Sequence, residues 1–336
     1  MKQIAVIGAG SWGTALAVVA ARAGHEVRLW SRNETVIDSI NREHVNSEYL
    51  VGSAVPISVT ATADITKAAE GADLVILAAP SHATRGLLTA LVPSLHSELI
   101  IVSATKGIEI ETGKRISQVA CDVVPEPNRP RFVCLSGPSF AREVVERHPT
   151  AVVAASQDSG AARVVQAELS FDNLRIYTNN DVIGTEVGGS VKNVMAIAAG
   201  MVDGLGFGAN SIAALITRGL AEMTRLGLSE GAKLETLMGL AGLGDLVLTC
   251  TGSLSRNRFV GHELGKGRSL EEISTGMHEI AEGVKTTLAV KQLADRLGVE
   301  MPITNEVHAV LYEKKSVLDA THELMTRPLK DEGNRR

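Results

Sequence analysis

The sequence predicts an α/β N-terminal domain with a mostly parallel sheet over residues 1–180, followed by an all-helical C-terminal domain over residues 181–336. Three observations carry this. Short apolar runs alternate with helical patterns through the first 180 residues, which is how parallel strands joined by crossover helices appear in a sequence. A glycine-rich turn joins the first strand to the first helix. Beyond Asn180 strand-like runs cease, and Ala, Gly, Leu and Met recur at helical spacing as far as His322. A chain of 336 residues, 45% of them apolar, is long enough for two domains.

Eight runs read as strands: Gln3 to Gly8, His25 to Trp30, Ile57 to Thr60, Ala72 to Ala79, Leu99 to Ala104, Arg131 to Ser136, Thr150 to Ala155 and Leu174 to Thr178. Several, such as Leu74 to Ala79, are apolar on both faces, as strands covered by helices on two sides must be. The last one or two also suit antiparallel edge positions. The helical part opens at Asp181, a good N-cap, with a buried stripe at Val187, Val191, Val194, Met195 and Ala198. Glycines at 204, 206 and 208, at 242 and 244, and at 265 and 267 mark turns. The polar tail from Pro328 is expected to fray.

The first βα turn is Gly8-Ala9-Gly10-Ser11-Trp12-Gly13. It leaves Ile4-Ala5-Val6-Ile7 and enters an Ala-rich helix, the context that makes this spacing a Rossmann-like dinucleotide-binding turn. Gly8 permits the tight turn, Gly10 lets backbone approach a pyrophosphate, and Gly13 lets helix and strand pack closely. Ser11 and Trp12 lie in the loop. A free adenosine 2′-hydroxyl calls for an acid after the second strand, but the sequence there is Trp30-Ser31-Arg32. A cation in that place suits a 2′-phosphate, so NADP(H) is preferred and NAD(H) remains possible.

Net charge is −5, from 33 basic and 38 acidic residues without long blocks, so nothing advertises nucleic acid or an anionic membrane. Cys121, Cys134 and Cys250 are odd in number and lack metal-site spacing; they predict reduced thiols and no metal. With no signal-peptide pattern and no continuous apolar run near 18 residues, the expectation is a soluble, cytoplasmic chain without membrane insertion.

Several stretches offer chemistry. Gly188, Gly189 and Lys192 share one helix face, which can approach a flat ring and present an ammonium beside it. A lysine desolvated there can give and take the proton that hydride transfer to a carbonyl requires, although a lysine that snorkels to water reads the same way. Lys106 follows the fifth strand and Gly137-Pro138-Ser139-Phe140-Ala141 the sixth, at the carboxyl edge where ligands of such sheets bind. Gly242-Leu243-Gly244-Asp245 precedes Ser255-Arg256-Asn257-Arg258, whose two cations, hydroxyl and amide suit a phosphate or a solvated basic loop. Ile280 and Glu282 carry no chemistry that can be read unaided.

Taken together, GAGSWGTALA, SATKGIE, LSGPSFA, GGSVKNVMAIAAG, GLGDLVLTC, SRNR and EIAEG, in that order across nearly the whole chain, resemble the bacterial NAD(P)-dependent glycerol-3-phosphate dehydrogenases. The resemblance implies a Rossmann-like domain with a helical domain, usually as a homodimer. It implies interconversion of dihydroxyacetone phosphate and sn-glycerol 3-phosphate in the cytoplasm, for phospholipid synthesis. It places Ser11, Trp12, Arg32, Ala141, Ile280 and Glu282 at the dinucleotide, and Lys106 at both cofactor and substrate. Lys192 matches the proton-transferring lysine. Gly137, Ser139, Asp245, Ser255, Arg256 and Asn257 match substrate contacts, with Arg256 also near the cofactor. Asp245 is expected to orient Lys192 or to bond a substrate hydroxyl. Asn33 stands where a second basic residue can follow Arg32. Two rival readings are a dehydrogenase of a 3-hydroxy acid or sugar acid, whose substrate carboxylate would replace the phosphate, and an NADP-sensing regulator, which has no evident need of two lysines.

Overall fold

Ile4 and Val6 of β1 (Gln3–Ile7) face one apolar layer and Ala5 and Ile7 the other; all four are fully buried, because strand side chains alternate and this sheet is covered on both faces. The computed structural model describes residues 1–126, 129–275, 281–329 and 331–332. Within the first part, β1 is followed by α1 (Ser11–Arg22), β2 (Glu26–Trp30), α2 (Glu34–Asp38), β3 (Val59–Thr62), α3 (Ile65–Ala69), β4 (Leu74–Leu77) and α4 (Ser81–Leu91). Then come β5 (Ile100–Ser103), α5 (Ile116–Val123), β6 (Arg131–Ser136), α6 (Ala141–Val145), β7 (Thr150–Ala155), α7 (Ser159–Leu169) and β8 (Leu174–Asn179).

The strand order is β3-β2-β1-β4-β5-β6-β7-β8. All neighbours are parallel except β6 with β7. The last two strands are parallel to each other and reversed against the first six, as their edge position allowed. All eight expected strands are present. The third starts at Val59 rather than Ile57, whose side chain is 80% exposed in the preceding turn. The order reverses between β1 and β4, so the carboxyl ends of these two strands diverge into a crevice.

The helical half comprises α8 (Val182–Gly204), α9 (Ala209–Ser229), α10 (Leu234–Leu237), α11 (Asp245–Thr251), α12 (Arg256–Gly265), α13 (Leu270–Thr275), α14 (Glu282–Leu297), α15 (Pro302–Tyr312) and α16 (Val317–Met325). Asp181 caps α8 by accepting from Gly184 N at 2.9 Å, and the helix then runs buried through Met201 except at Ile183. Only small residues let neighbours reach so enclosed a helix. A Cβ on Gly200 would stand 2.0 Å from Arg258 O, and one on Gly261 would stand 1.9 Å from Ile197 O, so α8 and α12 touch backbone to backbone. That contact fixes the N-terminus of α12 beside the middle of α8. The stretch Leu234–Thr251 reaches a mean hydropathy of 1.3, yet Glu235 and Asp245 interrupt it and it folds as α10, a π-turn and α11. No disulfide joins Cys121, Cys134 and Cys250.

Candidate active site

The first turn is shaped by contact with its neighbours. Gly8 has φ +118°, and a Cβ there would lie 2.9 Å from Ala78 O; one on Gly13 would lie 1.8 Å from Gly8 O. Both glycines are demanded by the protein itself. At Gly10 an added Cβ meets no protein atom within 4 Å, so its space belongs to whatever occupies the cavity above it. Ser11 and Trp12 open α1, whose first amides point the same way. The Ser11 hydroxyl is engaged, donating to Tyr49 O at 2.6 Å, while the buried Trp12 Nε1–H has no protein partner.

A cavity of about 1220 Å³ runs from this turn to the helical half. Gly8, Gly10, Ser11, Trp12, Arg32, Lys106, Ser139, Ala141, Lys192, Ser255, Arg256, Asn257 and Glu282 line it. Gly13, Gly137 and Asp245 support its wall from behind. Ile280 lies outside the described residues. Among the described residues no cluster of His, Cys, Asp and Glu could hold a metal ion.

At the far end of the cavity two ammonium groups meet one carboxylate. Lys192 Nζ donates to Asp245 Oδ1 at 2.7 Å and to Thr249 Oγ1 at 2.9 Å. Lys106 Nζ donates to Asp245 Oδ2 at 2.7 Å and to Gly137 O at 3.1 Å. Asp245 is 1% exposed and Lys192 7%. Burial works against the Asp245 charge, but the two ammonium groups outweigh it and hold the carboxyl below its ordinary value. Burial dominates at Lys192 and pulls its ammonium down to about 8, with Lys106 adding to the fall and Asp245 opposing it. A lysine poised there exchanges a proton readily near neutral pH. Two cations against one anion leave the site net positive, fit for an anionic substrate and a developing alkoxide.

A dinucleotide turn and a buried two-lysine centre at opposite ends of one cavity are the geometry of a nicotinamide-dependent dehydrogenase. Comparison with known proteins decides which. Residues 3–162 match the family described as NAD-dependent glycerol-3-phosphate dehydrogenase N-terminus, and residues 181–322 match its C-terminus. A glycerol-3-phosphate dehydrogenase [NAD(P)+] of Koribacter versatilis is 54% identical over 330 residues, 98% of each chain. The chain belongs to the glycerol-3-phosphate dehydrogenase family. The solved glycerol-3-phosphate dehydrogenase of Coxiella burnetii is 41% identical, with a TM-score of 0.93, covering 97% of this chain and 99% of that one. A PanE/ApbA family ketopantoate reductase from Ralstonia eutropha shares only the fold, at 18% identity and a TM-score of 0.60 over 95% of this chain and all of that one.

Within the family framework several expectations change. Gly188 and Gly189 admit protein rather than a ligand ring: a Cβ on the first would stand 2.5 Å from Ala241 O, and one on the second 2.7 Å from Ser136 Oγ. Asp245 spends both oxygens on lysines, which favours its orienting role over a bond to a substrate hydroxyl. The cluster at 255–258 divides. Arg256 faces the cavity, whereas Arg258, two residues on and therefore across the helix, pairs with Asp203 at 2.9 Å. The Ser255 side chain caps α12 by accepting from Arg258 N at 3.2 Å. Asn257 donates to Asn193 Oδ1 at 3.0 Å and accepts from Gly283 N at 2.9 Å. Ser139 donates to Gly137 O at 2.9 Å. Glu282 accepts from Ser81 N at 2.9 Å, tying α14 to the start of α4 across the cleft.

At the adenosine end Arg32 is exposed on the cavity rim beside buried Ser31. Asn33 is occupied as the N-cap of α2, its Oδ1 accepting from Thr35 N at 2.9 Å. Sequence reasoning missed Thr249 and left Asn193 without a role. Thr249 sits four residues after Asp245, one helical turn on the same face, and that spacing was the available signal. Asn193 Nδ2 donates to Lys106 O at 3.3 Å, a pairing between distant segments that no local pattern discloses.

Proposed function

We propose that Lys192 is the proton donor and acceptor in the reversible conversion of dihydroxyacetone phosphate to sn-glycerol 3-phosphate, using NADPH in preference to NADH. The carrying observation is the buried Lys192–Asp245–Lys106 centre at the end of a cavity that begins at a dinucleotide turn. The protein fits the cofactor: Gly10 leaves open space above the turn, and Trp12 lines the cavity beside it, its Nε1–H buried without a protein partner. Gly8, Gly10, Ser11, Trp12, Ala141 and Glu282 would hold the dinucleotide, and Arg32 its 2′-phosphate. When bound, the nicotinamide supplies or takes up the hydride at C2 of the substrate.

In the reducing direction Lys192 Nζ gives its proton to the C2 oxygen; in the oxidising direction it takes the hydroxyl proton. Lys106 adds positive charge beside that oxygen. Asp245 keeps both lysines aimed and charged, with Thr249 steadying Lys192. Arg256 grips the substrate phosphate, and Ser255 and Asn257 place it by ordering the first turn of α12, so binding energy remote from C2 positions the reacting carbon. Gly137 and Ser139 shape the wall that holds Lys106. The reaction acts on a CH–OH group and yields the glycerol backbone of phospholipids.

The division into a cofactor domain, 1–180, and a substrate domain, 181–336, follows the change from strands to helices after Asn179. A cytoplasmic homodimer is part of the same reading; light scattering in solution checks the dimer. The decisive assay is NADPH oxidation with dihydroxyacetone phosphate and, separately, with ketopantoate. Turnover of the phosphorylated substrate is expected. Turnover of ketopantoate alone overturns the assignment.

A further inference from the structure

We infer that Glu186 is a positioning residue for the two-lysine centre, holding Lys106 against Lys192 through Arg115 and Ser117. The inference rests on the lysine assignment above.

The segment between β5 and α5 belongs to the sheet half in sequence, yet it docks on the helical half. Ile108, two residues after Lys106, is 1% exposed within the core that contains Val187 and Val191 of α8. The segment is closed into a rigid turn by Glu109 N donating to Lys114 O at 2.9 Å, and by a bridge between Ile108 and Arg115. Its far end is clamped by one carboxylate. Glu186 accepts from Ser117 N at 2.7 Å, from Ser117 Oγ at 2.6 Å and from Arg115 Nη1 at 2.8 Å. Its near end is held by Asn193, which donates to Lys106 O at 3.3 Å. Glu186 and Asn193 are seven residues apart, two turns along one face of α8. Between them Gly189 packs closely on Ser136, where a Cβ would stand 2.7 Å from Oγ, and that Cβ would lie in van der Waals contact with Lys106 Cγ at 3.7 Å. Helix α8 thus grips the Lys106 loop at both ends and carries Lys192 on the adjoining turn.

Stability alone is a poor reason for this clamp. Glu186 is 6% exposed and Arg115 7%, and a buried ion pair forfeits hydration that its attraction only about recovers. What such a pair supplies is direction: three bonds to one carboxylate admit a single placement of the loop. Lys106 and Lys192 therefore keep their spacing across Asp245 when the cleft takes up and releases ligands, because α8 carries the one and holds the loop of the other.

The test uses the full-length enzyme. Glu186→Gln keeps the side chain's size but removes the charge and puts an amide where donors converge. With NADPH and dihydroxyacetone phosphate, kcat is expected to fall at least about tenfold. The pH at which reduction falls to half should move above its wild-type value. Lys192 faces Asp245, Lys106 and the Cys250 thiol, and a Lys106 that has left Asp245 no longer depresses it. Glu186 itself faces Arg115, with Glu230 on the other side of that guanidinium and Cys134 nearby. Ser117→Ala, which spares the ion pair and folds more safely, should show the same two changes at about threefold in kcat. Wild-type kcat and midpoint in both variants, measured on protein of native circular dichroism, overturn the inference alone provided that Lys192→Ala is inactive. Full turnover by Lys192→Ala overturns the lysine assignment and this inference with it.

Discussion

Replacing Asp245 by Asn removes the carboxylate that Lys192 donates to while keeping the side chain's shape. Asp245 lies 2.7 Å from both ammonium groups and is 1% exposed, so its loss leaves the buried Lys192 cation facing the partly buried Lys106 with no anion between them. Breaking a buried pair costs about 3–5 kcal/mol. Taking about 3 kcal/mol as the share felt by Lys192, its pKa falls by about two units, from about 8 to about 6. At pH 7.5 the protonated fraction then drops from about three-quarters to about 3%, so kcat for ketone reduction falls roughly 20-fold or more. The assay is NADPH oxidation across pH 5.5 to 9.5 at saturating dihydroxyacetone phosphate. Wild type should lose reduction above a midpoint near 8, and Asp245→Asn above a midpoint near 6. An Asp245→Asn midpoint unchanged or raised would refute the electrostatic coupling, even if the variant were slow.

Three other changes probe separate parts of the molecule. Arg32→Ala should raise the KM for NADPH about 10- to 100-fold, the worth of a lost charge-assisted bond, with little effect on NADH; equal effects on both cofactors would exclude a 2′-phosphate contact. Gly10→Ala should leave the melting temperature unchanged, because its Cβ meets no protein atom within 4 Å, yet weaken NADPH binding at least about tenfold; a large loss of stability with normal binding would contradict this use of the space. Burial pushes the Glu222 carboxyl up to about 7, against the amides of Ile303 and Thr304 that it accepts from. At this carboxyl the folded state therefore binds more protons than the unfolded one between about pH 4.5 and 7, and its contribution to stability falls as pH rises through that window, by about 3 kcal/mol. Denaturant titrations should show stability falling relative to Glu222→Gln as pH rises through that window; wild-type and variant curves that stay parallel would contradict the assignment.

The sheet was legible because its strands are continuous apolar runs flanked by turn residues, and the glycine turn because steric need leaves glycine little alternative at positions 8 and 13. Edges were less legible: Ile57 has strand-like chemistry but lies before β3, since pairing with β2 begins at Val59. The two lysines could be named as candidates, and Asp245 as a partner of Lys192, but the place of Lys106 on the same carboxylate could not, because the three residues are brought together from the loop after β5, from α8 and from α11 by tertiary packing. Arg256 and Arg258 looked like one cluster until a helix separated their directions. Glu186 gave no sequence signal at all: a single acid on an apolar helix reads as a misplaced surface residue until its partners, Arg115 and Ser117, are seen across the interface.

The central claim is that the dinucleotide turn and Lys192 serve one reaction. Steady-state turnover of Lys192→Ala with dihydroxyacetone phosphate, together with its NADPH affinity by fluorescence titration, tests this most directly. The expected result is loss of turnover with NADPH bound as tightly as by wild type; substantial turnover with intact cofactor binding would contradict it.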